Sequence, residues 1–287
     1  MTRSAQGDAI AAMGRTLGPD VLTQCRALFD AEQQALAAAC PPAATDIAYG
    51  PHVRHRLDLY RAEAGESLPI LLFVHGGGFL KGDKGGAAEW PNANVGRMAA
   101  QAGFLGAVIN YRLAPDNPWP SGAEDVAAAV DWLRAHAADQ GGDPAKIVLV
   151  GTSAGAAHVA GYLKLAGGHA DRDVRGVILL SGLYGYTPLE ERDALYYGDP
   201  ALYAERMPMD AVAATTLPLM VACTEFDPPR FQAEWTGLIR DRLAHHGQLP
   251  RGTILSGHNH YSITMHLGTS DRRLADDICA FVRDITQ

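Results

Sequence analysis

No stretch of this 287-residue chain approaches the roughly eighteen consecutive apolar residues of a membrane span, so no membrane partner is expected. Runs of Lys and Arg are missing too. The 24 basic residues are outnumbered by 32 acidic ones, and a net charge of −8 disfavours nucleic acid and anionic membranes as partners. Cysteine is sparse: Cys25, Cys40, Cys223 and Cys279 lie far apart, without the spacing of a metal site. Cys223 sits in an apolar run and reads as a small core residue, and the four together read as reduced thiols of a cytoplasmic protein. Residues 1–14 hold no apolar core of a secretory signal, and none is expected. Repeats, low-complexity tracts and Gly/Ser linkers are also absent, so residues 1–287 are expected to form one domain. Self-association is left open, a homo-oligomer included.

What is present is ordinary material for a buried core, with 47% hydrophobic residues. Residues 1–45 read as an N-terminal helical segment. Val21, Leu22, Cys25, Leu28 and Phe29 recur at helical spacing, strong helix formers continue to Ala39, and Pro41-Pro42 stop the helix. Its apolar stripe needs a surface to cover, so it should fold back onto the body. A hairpin is expected over residues 46–60, turning at Gly50-Pro51. From Pro69 onward apolar strands alternate with helices. Strands are expected at 70–74, 106–110, 146–150, 177–180, 217–223 and 253–255, with helices at 95–101, 123–138, 231–243 and 274–282. Such alternation implies a mainly parallel sheet covered by helices on both faces.

The pattern is organised around Gly151-Thr152-Ser153-Ala154-Gly155, between the strand at 146–150 and a run of small helix-compatible residues. A strand that turns sharply into a helix puts the turn residue in a strained conformation and tolerates only small neighbours. Glycines two before and two after Ser153 meet that need and lift its hydroxyl onto a tip, as in a nucleophile elbow. A serine hydroxyl attacks poorly until a base takes its proton and a third group orients that base. The order Ser, Asp/Glu, His at successive strand ends would supply both. The strand at 217–223 runs into Glu225-Phe226-Asp227, and that at 253–255 into His258-Asn259-His260. Acyl transfer also needs donors for an oxyanion. Gly76-Gly77-Gly78 after the strand at 70–74 can turn backbone N–H groups inward, and the amide of Ala154 would complete the hole. A phosphate loop is excluded, since no G-K-[ST] is present and no G-x-G-x-x-G opens a helix.

The other histidines have plainer readings. His75 is expected to brace the glycine loop, and His158 to be packed or solvent-facing. His136, His245 and His246 are expected at surface helix ends. His258 and His260 would share one face of an extended segment, so a metal pair is conceivable, but no third ligand has recognisable spacing and no metal is expected. Between the strands at 177–180 and 217–223 the alternation breaks, over residues that include Tyr184, Tyr186, Tyr196, Tyr197 and Tyr203. An insertion there, at the strand end beside Ser153, reads as a small cap over about 183–212, against the alternative of tyrosines packed on the body.

His75-Gly76-Gly77-Gly78-Phe79, Tyr111-Arg112-Leu113-Ala114-Pro115, Trp119-Pro120, Gly142-Asp143-Pro144, the Ser153 elbow and Glu225-Phe226-Asp227-Pro228 together resemble the α/β-hydrolase superfamily. The likeness is to the bacterial carboxylesterases of the hormone-sensitive-lipase type, over roughly residues 45 to 285. Ser181-Gly182-Leu183-Tyr184 and His260-Tyr261-Ser262-Ile263 look nearer the kynurenine formamidase branch. The resemblance implies an α/β-hydrolase fold, with Ser153 as nucleophile, Asp227 as acid and His260 as base. It further implies Gly77, Gly78 and Ala154 as oxyanion donors. Phe79, Leu80, Tyr184 and Tyr261 are expected to line the substrate pocket, and no cofactor is implied. Thr152 stands where many members have Asp or His, and no Gly-Phe follows the histidine, which bears on subfamily and substrate. The expected activity is hydrolysis of short-chain carboxylic esters by a serine carboxylesterase. The alternatives are a formamidase or amidase acting on a small-molecule amide and, since plant gibberellin receptors resemble the fold but lack the histidine, a binding protein. His260 speaks for the enzyme.

Overall fold

The structure, a computed structural model, describes residues 4–62, 65–87 and 89–287. Residues 1–3 of the expected N-terminal helical segment lie outside the described residues. In chain order the elements are helices α1 (Ala5–Ala12) and α2 (Pro19–Ala39), strands β1 (Ala44–Ala48), β2 (Arg56–Tyr60) and β3 (Leu68–Val74), then α3 (Ala93–Gln101) and β4 (Leu105–Asn110). Next come α4 (Ser121–His136), β5 (Gly142–Thr152), α5 (Ala154–Ala166), α6 (Ala170–Asp173) and β6 (Gly176–Leu180). Three short helices follow, α7 (Glu191–Tyr197), α8 (Tyr203–Arg206) and α9 (Met209–Ala214). The chain closes with β7 (Leu219–Phe226), α10 (Pro229–His246), β8 (Arg251–Asn259), α11 (Ser262–Met265) and α12 (Arg273–Thr286).

The strands form one eight-stranded sheet in the order β1-β2-β4-β3-β5-β6-β7-β8. The β1–β2 hairpin and the β2–β4 pair are antiparallel, and every pairing from β4 through β8 is parallel. The central strands are apolar at nearly every position because both faces are covered. Side chains of a strand alternate faces, and the packing follows that parity. Ile70, Leu72, Val74, Ile147, Leu149, Val177 and Leu179 enter one core with residues of α4, α5 and α10. Leu71, Phe73, Val148, Val150, Ile178 and Leu180 enter the other with α3 and α12.

Parallel register brings the strand ends to one edge. Val74 pairs with Gly151, Thr152 with Leu180, Leu180 with Ala222, and Phe226 with Asn259. The residues that follow, His75, Ser153, Ser181, Asp227 and His260, therefore emerge together at the carboxyl edge, where open α/β sheets bind their ligands. The N-terminal helices lie over this side of β8. Proline at the first turn of α2 and Asp20 beside it suit a helix start. Its buried stripe, Cys25, Phe29, Gln33 and Leu36, repeats at helical spacing. Gln33 Nε2 donates to the carbonyls of Met265 at 2.7 Å and Leu267 at 3.0 Å, fixing α2 to the chain just beyond β8.

The elements differ from the sequence reading mainly at their ends. The strand expected at 217–223 begins at Leu219 and continues to Phe226, and the one expected at 253–255 extends to Asn259. Both lengthen into polar residues whose backbone pairing, not hydrophobicity, keeps them in the sheet.

Candidate active site

Ser153 sits between β5 and α5 at φ 53° and ψ −121°, a conformation in the left-handed half of the map that costs an ordinary residue strain. The neighbours make it affordable. A side chain at Gly155 would begin 2.1 Å from the Val74 carbonyl oxygen, so only glycine lets the start of α5 lie against β3. His260 Nε2 lies 2.9 Å from Ser153 Oγ, and His260 Nδ1 lies 2.8 Å from Asp227 Oδ1. A carboxylate only accepts, so Nδ1–H donates to Asp227 and leaves the Nε2 lone pair for the serine proton. Asp227 is fully buried; its second oxygen accepts from Ser181 Oγ at 2.6 Å and from Thr224 N at 2.8 Å. Phe231, in the first turn of α10, packs its ring 4.0 Å from the His260 ring and walls that side of the imidazole.

Glu225, the other carboxylate after β7, turns elsewhere. It accepts from Ser256 Oγ at 2.7 Å and Gly257 N at 2.8 Å, tying β7 to the end of β8. The conceived His258–His260 metal pair is not formed, because the two imidazoles serve different partners. His258 contacts Ser262 Oγ at 3.0 Å through Nδ1 and Asp271 Oδ2 at 3.1 Å through Nε2. Among the described residues, His258, His266 and Asp271 bring three ligand atoms within 4.8 Å of one another, a set able to hold a divalent cation. Arg273 competes for it, with Nε 2.9 Å from Asp271 Oδ1 and Nη2 2.6 Å from Oδ2. That guanidinium, then the His258 hydrogen bond, holds the Asp271 carboxyl far below the usual carboxylate range. A cavity of about 430 Å³ opens beside His258 and Asp271 under α1; Ser153 does not line it.

The glycine loop crosses the elbow closely, a side chain at Gly76 starting 3.2 Å from Ser153 Cβ. Gly77 and Gly78 have φ of 136° and 60°, and Phe79 follows at 68°. The segment after β4 holds this bend, with Tyr111 Oη donating to the His75 carbonyl at 2.9 Å and Ala114 N to the Phe79 carbonyl at 3.0 Å. His75 Nδ1–H donates to the Gly76 carbonyl at 2.7 Å, and burial pushes its pKa down to about 4, which leaves it neutral. His158 is packed, not solvent-facing. It is buried edge-on against Tyr111 and Phe79, and desolvation lowers its pKa to about 3. His246 is half-buried, its Nε2 3.0 Å from the Ala213 carbonyl, so it belongs to a contact with α9 instead of the surface.

The residues expected to line a pocket divide. Phe79 is buried under Tyr196, stacked at 4.6 Å, and joins Ala154, Leu183, Tyr197 and Phe231 in an apolar cluster, with Leu80 packed at its side. Tyr184 goes the other way: it is buried in the core on the α5 and α10 side, its hydroxyl folded over Gly182. Tyr261 lies with its ring 6.0 Å from that of His260, and its hydroxyl accepts from Gly18 N at 3.1 Å. Leu17 packs against the Phe79 cluster, so the turn between α1 and α2 adds a wall. The chain between β6 and β7 is clamped by one carboxylate. Glu234 Oε2 accepts from Tyr184 N at 2.7 Å, Gly185 N at 3.1 Å and Tyr186 N at 3.2 Å, and Oε1 from Thr187 N at 2.8 Å and its hydroxyl at 2.5 Å. No site role was read in the sequence for Ser181, Phe231 or Glu234; only the place of Ser181, directly after a strand on the Ser153 edge, could have signalled one.

A half-buried serine at an elbow, a histidine and a buried aspartate in hydrogen-bonded series, on an open parallel sheet, define a hydrolase of the α/β class. The family model for the alpha/beta hydrolase fold matches residues 71–235, and the chain belongs to that family. Among curated relatives it is 31% identical to the probable carboxylic ester hydrolase LipM of Mycobacterium tuberculosis, over 51% of this chain and 36% of that protein. It is 38% identical to carboxylesterase NlhH of the same species, over 42% of this chain and 35% of that protein. The match therefore spans little more than a third of either relative's length. A solved structure described as a bacterial heroin esterase superposes with a TM-score of 0.70 at 24% identity, covering 99% of this chain and 98% of that one, a likeness of fold.

Proposed function

We propose that the protein is a serine carboxylesterase of short-chain esters, with Ser153, His260 and Asp227 as its triad. The observation that carries this reading is the unbroken series of contacts, 2.9 Å from Ser153 Oγ to His260 Nε2 and 2.8 Å from Nδ1 to Asp227. Ser153 Oγ attacks the ester carbonyl while Nε2 takes its proton, and Asp227 stabilises the imidazolium that results. The oxyanion is received by the N–H groups of Gly77, Gly78 and Ala154, the last in the first turn of α5, where amides have no intrahelical acceptor. Collapse of the tetrahedral adduct breaks the C–O bond, the leaving alcohol takes the Nε2 proton, and an acyl-serine remains. Water, deprotonated by His260, attacks that acyl group; the second adduct releases the carboxylic acid and returns the proton to Ser153.

Acyl size follows from the walls. Phe79, fixed between the Ala114 amide and the Tyr196 ring, and Phe231 against His260 are rigid aromatics close to the nucleophile. A pocket so bounded takes a few methylenes, each adding about 0.8 kcal/mol until it is full. The helices α7–α9 serve as the small cap, within one hydrolase domain. The free thiols of all four cysteines accord with a cytoplasmic setting. kcat/KM across p-nitrophenyl esters from acetate to palmitate, beside N-formyl aromatic amines, tests the reading. A maximum between acetyl and about hexanoyl is expected; a maximum at decanoate or beyond, or preference for the formamide, overturns it.

A further inference from the structure

The open side of the oxyanion loop is faced by a cation that the triad does not use. A side chain on Gly78 would start 3.1 Å from Arg192 Cζ and 3.2 Å from its Nε and Nη1, so the guanidinium stands directly over this glycine. Arg192 comes from α7, and α7 is firmly seated. Its next residue, Asp193, is fully buried and accepts from Arg230 Nη2 at 2.5 Å, and Tyr196 on the same helix stacks on Phe79. Arg230 also takes Glu190, with Nη1 3.3 Å from its carboxylate, so two of the acidic neighbours are already neutralised. Glu191, exposed, is the remaining one on this stretch. Among the described residues no carboxylate forms an ion pair with Arg192.

Elsewhere in this acidic chain, arginines beside carboxylates are taken up by them, as Arg112, Arg230 and Arg273 show. Arg192 instead is exposed, with its guanidinium against the backbone of Gly78 in the loop that faces Ser153. A guanidinium offers a fork that fits a carboxylate, and one left without an internal partner keeps that capacity for a ligand. Taking Ser153 as the nucleophile of an esterase, as proposed above, the geometry points to Arg192 as a specificity determinant for esters that carry a carboxylate. With the scissile oxygen at the Gly78 amide, a carboxylate a few bonds further out meets the guanidinium. Glycine at 78 allows the closest approach, since a Cβ there would push the guanidinium back by a few tenths of an ångström. Lys81, exposed on the same loop, adds positive charge to an otherwise acidic protein.

Two matched substrate pairs test this. Mono-p-nitrophenyl glutarate against p-nitrophenyl pentanoate places the charge on the acyl side, and acetoxybenzoate against phenyl acetate places it on the alcohol side. The wild-type enzyme is expected to favour the anionic member of at least one pair in kcat/KM, and Arg192→Gln to lower that anionic-to-neutral ratio about tenfold. Arg192→Lys should retain part of it, since a point charge lacks the fork. Added salt should lower the wild-type ratio and leave that of Arg192→Gln in place. Ratios unmoved by Arg192→Gln in both pairs overturn the assignment. Hydrolysis of the neutral members by the wild type, and its loss in Ser153→Ala, decides the esterase reading independently.

Discussion

Ser181 Oγ donates to Asp227 Oδ2 at 2.6 Å, on the carboxylate oxygen turned away from His260. Ser181 directly follows β6 and adopts a φ of 45°, so this hydroxyl is aimed by a strained turn like the one that presents Ser153. The acid is thereby held from both ends, by imidazole on one oxygen and by Ser181 and the Thr224 amide on the other. Ser181→Ala is expected to lower kcat about tenfold with KM nearly unchanged, because the carboxylate then aligns the imidazole less often. A rise in KM alone would place Ser181 in substrate binding instead.

The two histidines at the end of β8 should separate sharply. His260→Ala is expected to reduce kcat on the order of 10⁴-fold, as loss of a triad base does. Among the described residues the side-chain hydrogen-bond partners of His258 are Ser262 and Asp271, so His258→Ala should cost about 1–3 kcal/mol of stability and far less activity. Steady-state kinetics with a urea melt on each variant gives both numbers, and the reverse ranking would refute the triad assignment. Chelator treatment should leave the rate unaltered; loss restored by zinc would assign His258, His266 and Asp271 to a metal.

Glu234 gathers the amides of residues 184–187 and a hydroxyl on one buried carboxylate. Glu234→Gln turns an N–H group toward those donors and leaves some of them unpaired. The expected loss is about 2–4 kcal/mol, read as a lower urea midpoint, with faster amide exchange across residues 184–187. An unchanged midpoint would show that this stretch is held by its tyrosines alone.

Stability should fall with acid before any carboxylate is titrated. Burial pushes His75 down to about 4 and His158 and His266 down to about 3. In the unfolded chain each takes up a proton near the ordinary value of about 6.5, while the folded forms stay neutral. The unfolded state therefore binds more protons below that value, and stability declines as pH falls from about 6.5 toward 4, by up to about 1.4 kcal/mol per pH unit for each histidine. Above pH 7 the three contribute no slope. Urea midpoints between pH 7 and 5 measure the decline, and His158→Leu should flatten it. A flat wild-type profile would show these rings protonated in the fold.

The strands and the order of the polar residues after them were legible because each signal is local. Glycines flanking Ser153 announce a tight turn, and Asp227 and His260 each follow an apolar run that can only be a strand. Register then does the assembling, since parallel neighbours carry every strand end to one edge. What escaped depends on distant packing. Whether Tyr184 faces the cleft or the core is decided by Glu234, fifty residues away, which pulls the backbone of 184–187 onto α10. Arg192 over Gly78 is likewise invisible locally, because nothing in its own neighbourhood says that Arg230 will claim the adjacent acids. The burial of His158 follows from Gly122, whose missing side chain leaves room for the ring.

The hydrogen bond from Gly18 N to Tyr261 Oη, with Leu17 against the Phe79 cluster, makes the turn between α1 and α2 a tenant of the candidate active site. Tyr261 is the immediate neighbour of the base, so an event at the amino terminus reaches the imidazole through a single peptide unit. Proteolytic nicking ahead of Pro19 would leave sheet and triad in place and still alter which esters the enzyme accepts. Selectivity and integrity of the first helix are thus read out together, and a drifting acyl-chain preference in an ageing sample would signal a clipped terminus before any loss of fold.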